Sequence, residues 1–186
     1  MDRVAMDLVG PLPKTEDGNQ WILVVGDYAT RWMEAYALPD AKAETVATKF
    51  VQEFVCRFGI PREVHTDRGT NFESDLFREM CRILGIAKTR TTAYNPKSDG
   101  LIERFNKTLI TMVSMMIDPH KNQRDWDRYL AFATSAYRST PQESIGESPN
   151  MMMLGREVLL PVDLTVEHPD RSQEETQTDF AEQLRK

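Results

Sequence analysis

The sequence predicts an α/β domain built around a mixed β-sheet. Hydrophobic residues make up 40% of the 186 residues, enough for one compact core. The first forty residues contain three strand-like runs with no helical pattern between them. From residue 40 onward, strand and helix patterns alternate, which favours parallel strands covered by helices.

The three N-terminal strands differ in character. The first, 4–9, is a short run that ends before a Gly-Pro pair. A polar segment containing Asp17-Gly18, a hairpin signal, leads to the apolar run 21–25, which is typical of a strand buried on both faces. A weaker third strand is predicted over 31–38, ending at Pro39.

Helices and strands then alternate along the chain. Asp40 is expected to cap a helix that ends near Phe58. A short strand, 63–66, precedes a helix capped by Ser74, and another strand follows at 86–91. The remaining predicted helices cover 100–117, 124–137 and 148–155.

The charge is unevenly distributed. The net charge of −6 argues against a histone-like polybasic binder but leaves room for a local basic face. Residues 163–186 carry seven acids and three bases and are expected to form an acidic, mobile tail or linker after a domain at 1–162. Residues 82–107, with six bases and two acids, are locally positive.

Several classes of protein are disfavoured. No apolar run approaches the roughly 20 residues of a membrane span, and the N-terminus lacks the apolar core of a signal peptide. Cys56 and Cys81 lie in helical patterns, so a disulfide framework is not expected and the chain is predicted to be intracellular.

Three carboxylates stand out by their positions. Asp7 interrupts an apolar strand, Asp67 follows a strand end, and Glu103 lies near the start of the long helix. Each alone is more often a cap or an ion-pair partner, but three acids on three elements could converge. Clustered hard oxygen ligands suit magnesium or manganese rather than zinc.

The motifs around these acids resemble those of retroviral and retrotransposon integrases. The run His65-Thr66-Asp67-Arg68-Gly69-Thr70-Asn71-Phe72 is similar to the second-aspartate motif of that family, and the run from Tyr94 to Lys107 is similar to its glutamate motif. Thirty-five residues separate Asp67 from Glu103, as in the family's D,D-35-E pattern. The run 6–13 resembles the first-aspartate motif of gypsy-type elements, and 126–130 and 148–156 resemble downstream helices.

This resemblance implies both a fold and an activity. The fold would be ribonuclease H-like, a five-stranded mixed sheet with helices on both faces. The chain would be an integrase catalytic core, a polynucleotidyl transferase that trims retroelement 3′ ends and joins them to target DNA. Asp7, Asp67 and Glu103 would bind two Mg²⁺ (or Mn²⁺) ions and carry the catalysis.

The same resemblance implies a DNA-binding face. Lysines there would contact phosphates, and an aromatic ring could stack on a terminal base, although plain solvated surface is the alternative for the lysines. Asp99 is interpreted as helix N-terminal charge rather than as a fourth ligand. The expected DNA-binding residues are Tyr94, Asn95, Lys97, Ser98, Asn106 and Lys107.

The expected partners follow from the resemblance too. They are DNA, further copies of the chain, and the zinc-binding and C-terminal domains of a larger Pol polyprotein, which this sequence does not contain. The family implies a nuclear site of action. Two alternatives remain: a domesticated or decayed descendant that binds DNA or protein, and a nuclease of the same fold.

Overall fold

A computed structural model describes residues 1–90, 100–117 and 124–160. It contains one five-stranded sheet in the order β3-β2-β1-β4-β5. Strands β1, β2 and β3 are antiparallel neighbours, whereas β4 runs parallel to both β1 and β5. The predicted mixed sheet is confirmed. The strands are β1 (Arg3–Val9), β2 (Trp21–Asp27), β3 (Met33–Leu38), β4 (Glu63–Thr66) and β5 (Ala87–Arg90).

Helices cover both faces of this sheet. The first helical segment is continuous but changes its winding twice, from α1 through a π-helical stretch to the short α2. The α-helices are α1 (Ala43–Lys49), α2 (Cys56–Phe58), α3 (Asp75–Ile83), α4 (Gly100–Met116), α5 (Leu130–Arg138) and α6 (Pro149–Leu154). The π-helical stretch is Phe50–Val55, and a 3₁₀ turn, Trp126–Tyr129, leads into α5.

Two predicted helix caps are present as hydrogen bonds. The Ser74 hydroxyl accepts from the Phe77 N–H at 3.2 Å, and Ser148 accepts from the Met151 N–H at 2.9 Å. The prediction that Asp40 caps the first helix was wrong by two residues, because the N-cap is Lys42 and α1 begins at Ala43. The Asp40 carboxylate instead accepts hydrogen bonds from Lys42 N–H and the Thr45 hydroxyl.

Each face of the sheet has its own hydrophobic core. On one face, side chains of β1 and β2 pack against α1, the π-helical stretch and α3, with Phe50, Phe54 and Phe77 fully buried. On the other face, Ala5 and neighbours from β2 pack against α4 and α5. Because side chains alternate along a strand, Asp7 points to the same face as Ala5, towards α4.

Glu34 is a buried acid on β3. Glu34 on β3 accepts hydrogen bonds from the Trp32 indole and from Arg138 of α5, and its residue is only 8% exposed. Arg138 also lies 4.5 Å above the Trp32 ring. The cation that compensates this buried carboxylate lies 104 residues away in the chain.

None of the helices in the described parts of the chain is long and apolar enough to span a membrane. The expected acidic tail, 163–186, lies outside the described residues.

Candidate active site

Asp7 is the most enclosed of the three predicted acids. It occupies the middle of β1, the central strand, and its side chain is half-buried. Its Oδ1 accepts from the Leu8 N–H at 2.8 Å, and its Oδ2 accepts from the Asn106 side-chain amide at 2.7 Å. These two donors stabilise an ionised carboxylate in a place where desolvation would otherwise disfavour it.

Asp67 lies next to Asp7 across the sheet. Met6 and Thr66 are register partners on parallel β1 and β4, and Asp7 and Asp67 are the residues that directly follow them. The Asp67 Oδ1 accepts from the Gly69 N–H at 2.8 Å. A Cβ on Gly69 would lie only 2.9 Å from this oxygen, so a larger residue there would displace the carboxylate.

Glu103 approaches from above, on the first turn of α4. It is exposed, and its Oε1 accepts from Lys107 Nζ at 2.8 Å. This contact between residues four apart on one helix face lowers the pKa of the Glu103 carboxyl below its ordinary value.

The three acids line one cavity of about 210 Å³. It opens between β1, β4 and the start of α4, and the buried His65 and Thr66 form part of its wall. Three carboxylates from three elements supply the hard oxygen donors that magnesium or manganese prefers. The donor chemistry therefore fits such ions. Within residues 1–90, 100–117 and 124–160, however, no three acid, His or Cys side chains are yet arranged to hold a metal.

The structure gives contacts for two of the predicted DNA-binding residues. Both Asn106 and Lys107 face the acids, the first bonded to Asp7 and the second to Glu103. The other four, Tyr94, Asn95, Lys97 and Ser98, lie outside the described residues.

Sequence reasoning missed two supporting roles. Asn106 lies three residues after Glu103, so the helical period already places both on one face of α4. That spacing is the signal that could have assigned Asn106 to Asp7. Gly69 could have been found from the aspartate-X-glycine turn, since an Asp side chain commonly accepts from the N–H two residues on.

The strand order and the acid pocket at the junction of β1, β4 and α4 define a ribonuclease H-like domain. A model of the integrase core domain family matches residues 1–96, just over half of the chain. The chain therefore belongs to the integrase core domain family.

Curated relatives align over most of the chain. The Retrovirus-related Pol polyprotein from transposon 412 of Drosophila melanogaster is 29% identical over 160 residues, which cover 86% of this chain and 13% of that protein. The Gag-Pol polyprotein of Baboon endogenous virus (strain M7) is 33% identical over 139 residues, covering 74% of this chain and 8% of that protein. The chain thus spans only a small part of these relatives.

Solved structures support the fold. The catalytic core domain of BIV integrase matches with a TM-score of 0.63 and 22% identity, covering 83% of this chain and 94% of that one. The HTLV-2 integrase catalytic core domain in complex with magnesium matches with a TM-score of 0.64 and 17% identity, covering 81% and 94%. At these identities the likeness shows the ribonuclease H-like fold alone.

Proposed function

We propose that this chain is an integrase catalytic core that trims the 3′ ends of retroelement DNA and joins them to target DNA. The observation that carries the proposal is the meeting of Asp7, Asp67 and Glu103 at one cavity. These acids come from two parallel strands and a covering helix that are far apart in sequence. Membership of the integrase core domain family supports the same reaction class.

The proposed cofactor is a pair of Mg²⁺ or Mn²⁺ ions held by Asp7, Asp67 and Glu103. When bound, two such ions would activate the attacking oxygen and stabilise the leaving oxygen of an in-line phosphoryl displacement.

The residues around the cavity have distinct tasks in this proposal. The Asn106 amide fixes the direction of the Asp7 carboxylate, and the Gly69 N–H does the same for Asp67. To bind a metal ion, the Glu103 carboxylate must give up its contact with Lys107. Lys107 would then be available to a DNA phosphate, which is the role expected from the sequence.

The proposed partners are retroelement ends, target DNA and further copies of the chain. The proposed catalytic domain is 1–162, followed by an acidic linker at 163–186. The remaining proposed DNA contacts are Tyr94, Asn95, Lys97 and Ser98. A reaction on chromosomal DNA would require a nuclear site of action.

The test is metal-dependent disintegration of a branched DNA substrate, with Mg²⁺ and Mn²⁺ compared. We expect activity in the wild-type chain and in Asp99→Asn, and none in Asp67→Asn. Calorimetry should show Mn²⁺ binding that Asp67→Asn weakens. A chain that neither cleaves DNA nor binds Mn²⁺ would refute the proposal and favour a binding module without catalysis.

A further inference from the structure

A cluster of basic side chains surrounds one carboxylate on the far side of β4 from Asp7. Glu73 lies in the turn between Asp67 and α3. Its Oε1 accepts from Lys88 Nζ at 2.6 Å, whereas its Oε2 lies 2.8 Å from Arg78 and 3.4 Å from Arg90. Arg78 also lies 3.7 Å from the exposed Asp75, so three bases and two acids leave the cluster with one net positive charge.

The three bases differ in exposure. The Lys88 side chain is only 13% exposed and Glu73 20%, so this pair forms the fixed base of the cluster. The side chains of Arg78 and Arg90 are 53% and 59% exposed. A guanidinium carries five N–H donors, so Arg90, with one carboxylate contact, and Arg78, with two, keep donors for a further ligand.

This arrangement has the features of a preorganised anion-binding site. Two guanidinium groups held by the same oxygen lose less side-chain freedom when they bind a ligand than two unrestrained arginines would. They border a groove of about 480 Å³ that Thr89 also lines. Planar guanidinium donors match the oxygens of a phosphate.

The cluster lies one strand away from the acid cavity, on the opposite face of the sheet. Arg90 is the register partner of Thr66, the residue before Asp67, and adjacent strands are about 4.8 Å apart. The Thr89 hydroxyl lies 2.9 Å from Nδ1 of His65 in the cavity wall. Because side chains alternate along a strand, Lys88 and Arg90 on either side of Thr89 point to the α3 face instead. A DNA strand bound at the cavity would carry further phosphates on either side of the reacting one. Such phosphates could reach the edge strand β5, which carries Arg90.

We propose that Arg78 and Arg90, held in place by Glu73, bind a backbone phosphate of DNA that extends from the acid cavity past the β5 edge of the sheet. The inference rests on the proposed function, because it takes DNA as the substrate. Such a contact fixes the position of the duplex without reading its sequence. It also gives a net-negative chain a positive surface where the substrate lies.

The test measures DNA binding by fluorescence anisotropy over a range of salt concentrations, in EDTA, with the full chain. Arg78→Gln and Arg90→Gln should each weaken binding and reduce the slope of log K against log salt by about 0.9, the value expected for one lost phosphate contact. Arg82→Gln is the matched control, since Arg82 lies on the same helix, is 71% exposed and pairs with Glu79.

A charge-preserving variant separates binding from folding. Arg78→Lys keeps the positive charge, so it should restore most of the slope while losing the guanidinium fork. Thermal melts of each variant identify any that are unfolded, and for these the lysine variant decides. Slopes for Arg78→Gln and Arg90→Gln that equal the slope for Arg82→Gln would overturn the phosphate site.

Two DNA forms identify the source of the phosphate. A linear duplex and a covalently closed circle of the same sequence differ only in having ends. Weaker binding of the linear duplex alone would assign the contact to the retroelement end, and weaker binding of both forms to internal phosphates such as those of target DNA.

The two proposals can fail separately. If the wild-type chain cleaves DNA but the arginine variants bind DNA as tightly as the wild type, the phosphate site is refuted and the proposed function is not. If DNA binding depends on the arginines but the chain shows no metal-dependent cleavage, the proposed function is refuted and the phosphate site is not.

Discussion

Replacing Arg138 with methionine should lower the free energy of unfolding more than replacing an exposed arginine does. Arg138 of α5 pairs with Glu34 of β3, and the two side chains are only 17% and 11% exposed. Methionine would keep much of the volume but leave the Glu34 carboxylate buried without its cation. The Trp32 indole would still donate to Glu34 at 2.8 Å, which limits the damage.

The structure sets the expected magnitude. Removing one partner of a buried ion pair typically costs about 3–5 kcal/mol, and the loss of the guanidinium over the Trp32 ring adds roughly 0.5–1 kcal/mol. Because both side chains retain some exposure and Glu34 retains one donor, we expect the lower end, about 3 kcal/mol. For a domain of this size that corresponds to a fall in Tm of about 6–12 °C.

Urea denaturation of a double-mutant cycle tests this reasoning. Glu34→Gln combined with Arg138→Met should recover much of the stability, since glutamine removes the unpaired charge and still accepts from Trp32. Arg82→Met, at an exposed ion pair, should change the free energy of unfolding by less than about 1 kcal/mol. An Arg138→Met variant as stable as Arg82→Met, or a double variant no more stable than Arg138→Met, would refute the argument.

Three further predictions concern the acids and their neighbours. Hydrogen bonds from Lys88 and Arg78 lower the pKa of Glu73 from 4.5 to about 2. The free energy of unfolding of the wild type should therefore exceed that of Glu73→Gln by a constant amount above pH 4.5, and this difference should vanish as the pH falls towards 2. Urea denaturation at a series of pH values measures it. Gly69→Ala should displace the Asp67 carboxylate and reduce disintegration by up to about 100-fold, with little change in Tm; normal activity would contradict the close approach. Asn106→Leu removes the donor to Asp7 and should weaken Mn²⁺ binding by about 10- to 100-fold in calorimetry, whereas unchanged affinity would show that Asp7 needs no such support.

Local signals predicted the elements that depend on neighbouring residues. Strand β4 begins and ends at the predicted residues, Glu63 and Thr66. Ser74 and Ser148 cap helices as expected, because a serine cap needs only the N–H three residues on. The mixed sheet was predictable because the order of strands and helices can be read along the sequence.

Features that depend on distant partners were not predictable. The π-helical stretch Phe50–Val55 carries the same apolar spacing as an ordinary helix, so periodicity could not reveal its wider winding. Glu34 looks like a surface acid until Arg138 is placed beside it by the packing of α5 on β3. The likeness to integrase motifs singled out the three acids, but not which donors hold each of them.

Those donors divide the candidate site into fixed and adjustable parts. Asp7 is half-buried between two N–H donors, and Asp67 is tied to the turn at Gly69, so both carboxylates have defined directions. Glu103 is exposed, and its partner Lys107 is on the same helix and also exposed. Exposed pairs are screened by salt and exchange readily, so a competing cation meets little resistance at Glu103. If the proposed ions bind in the cavity, the Glu103 side chain would turn away from Lys107, and this lysine would become available for the proposed DNA contact.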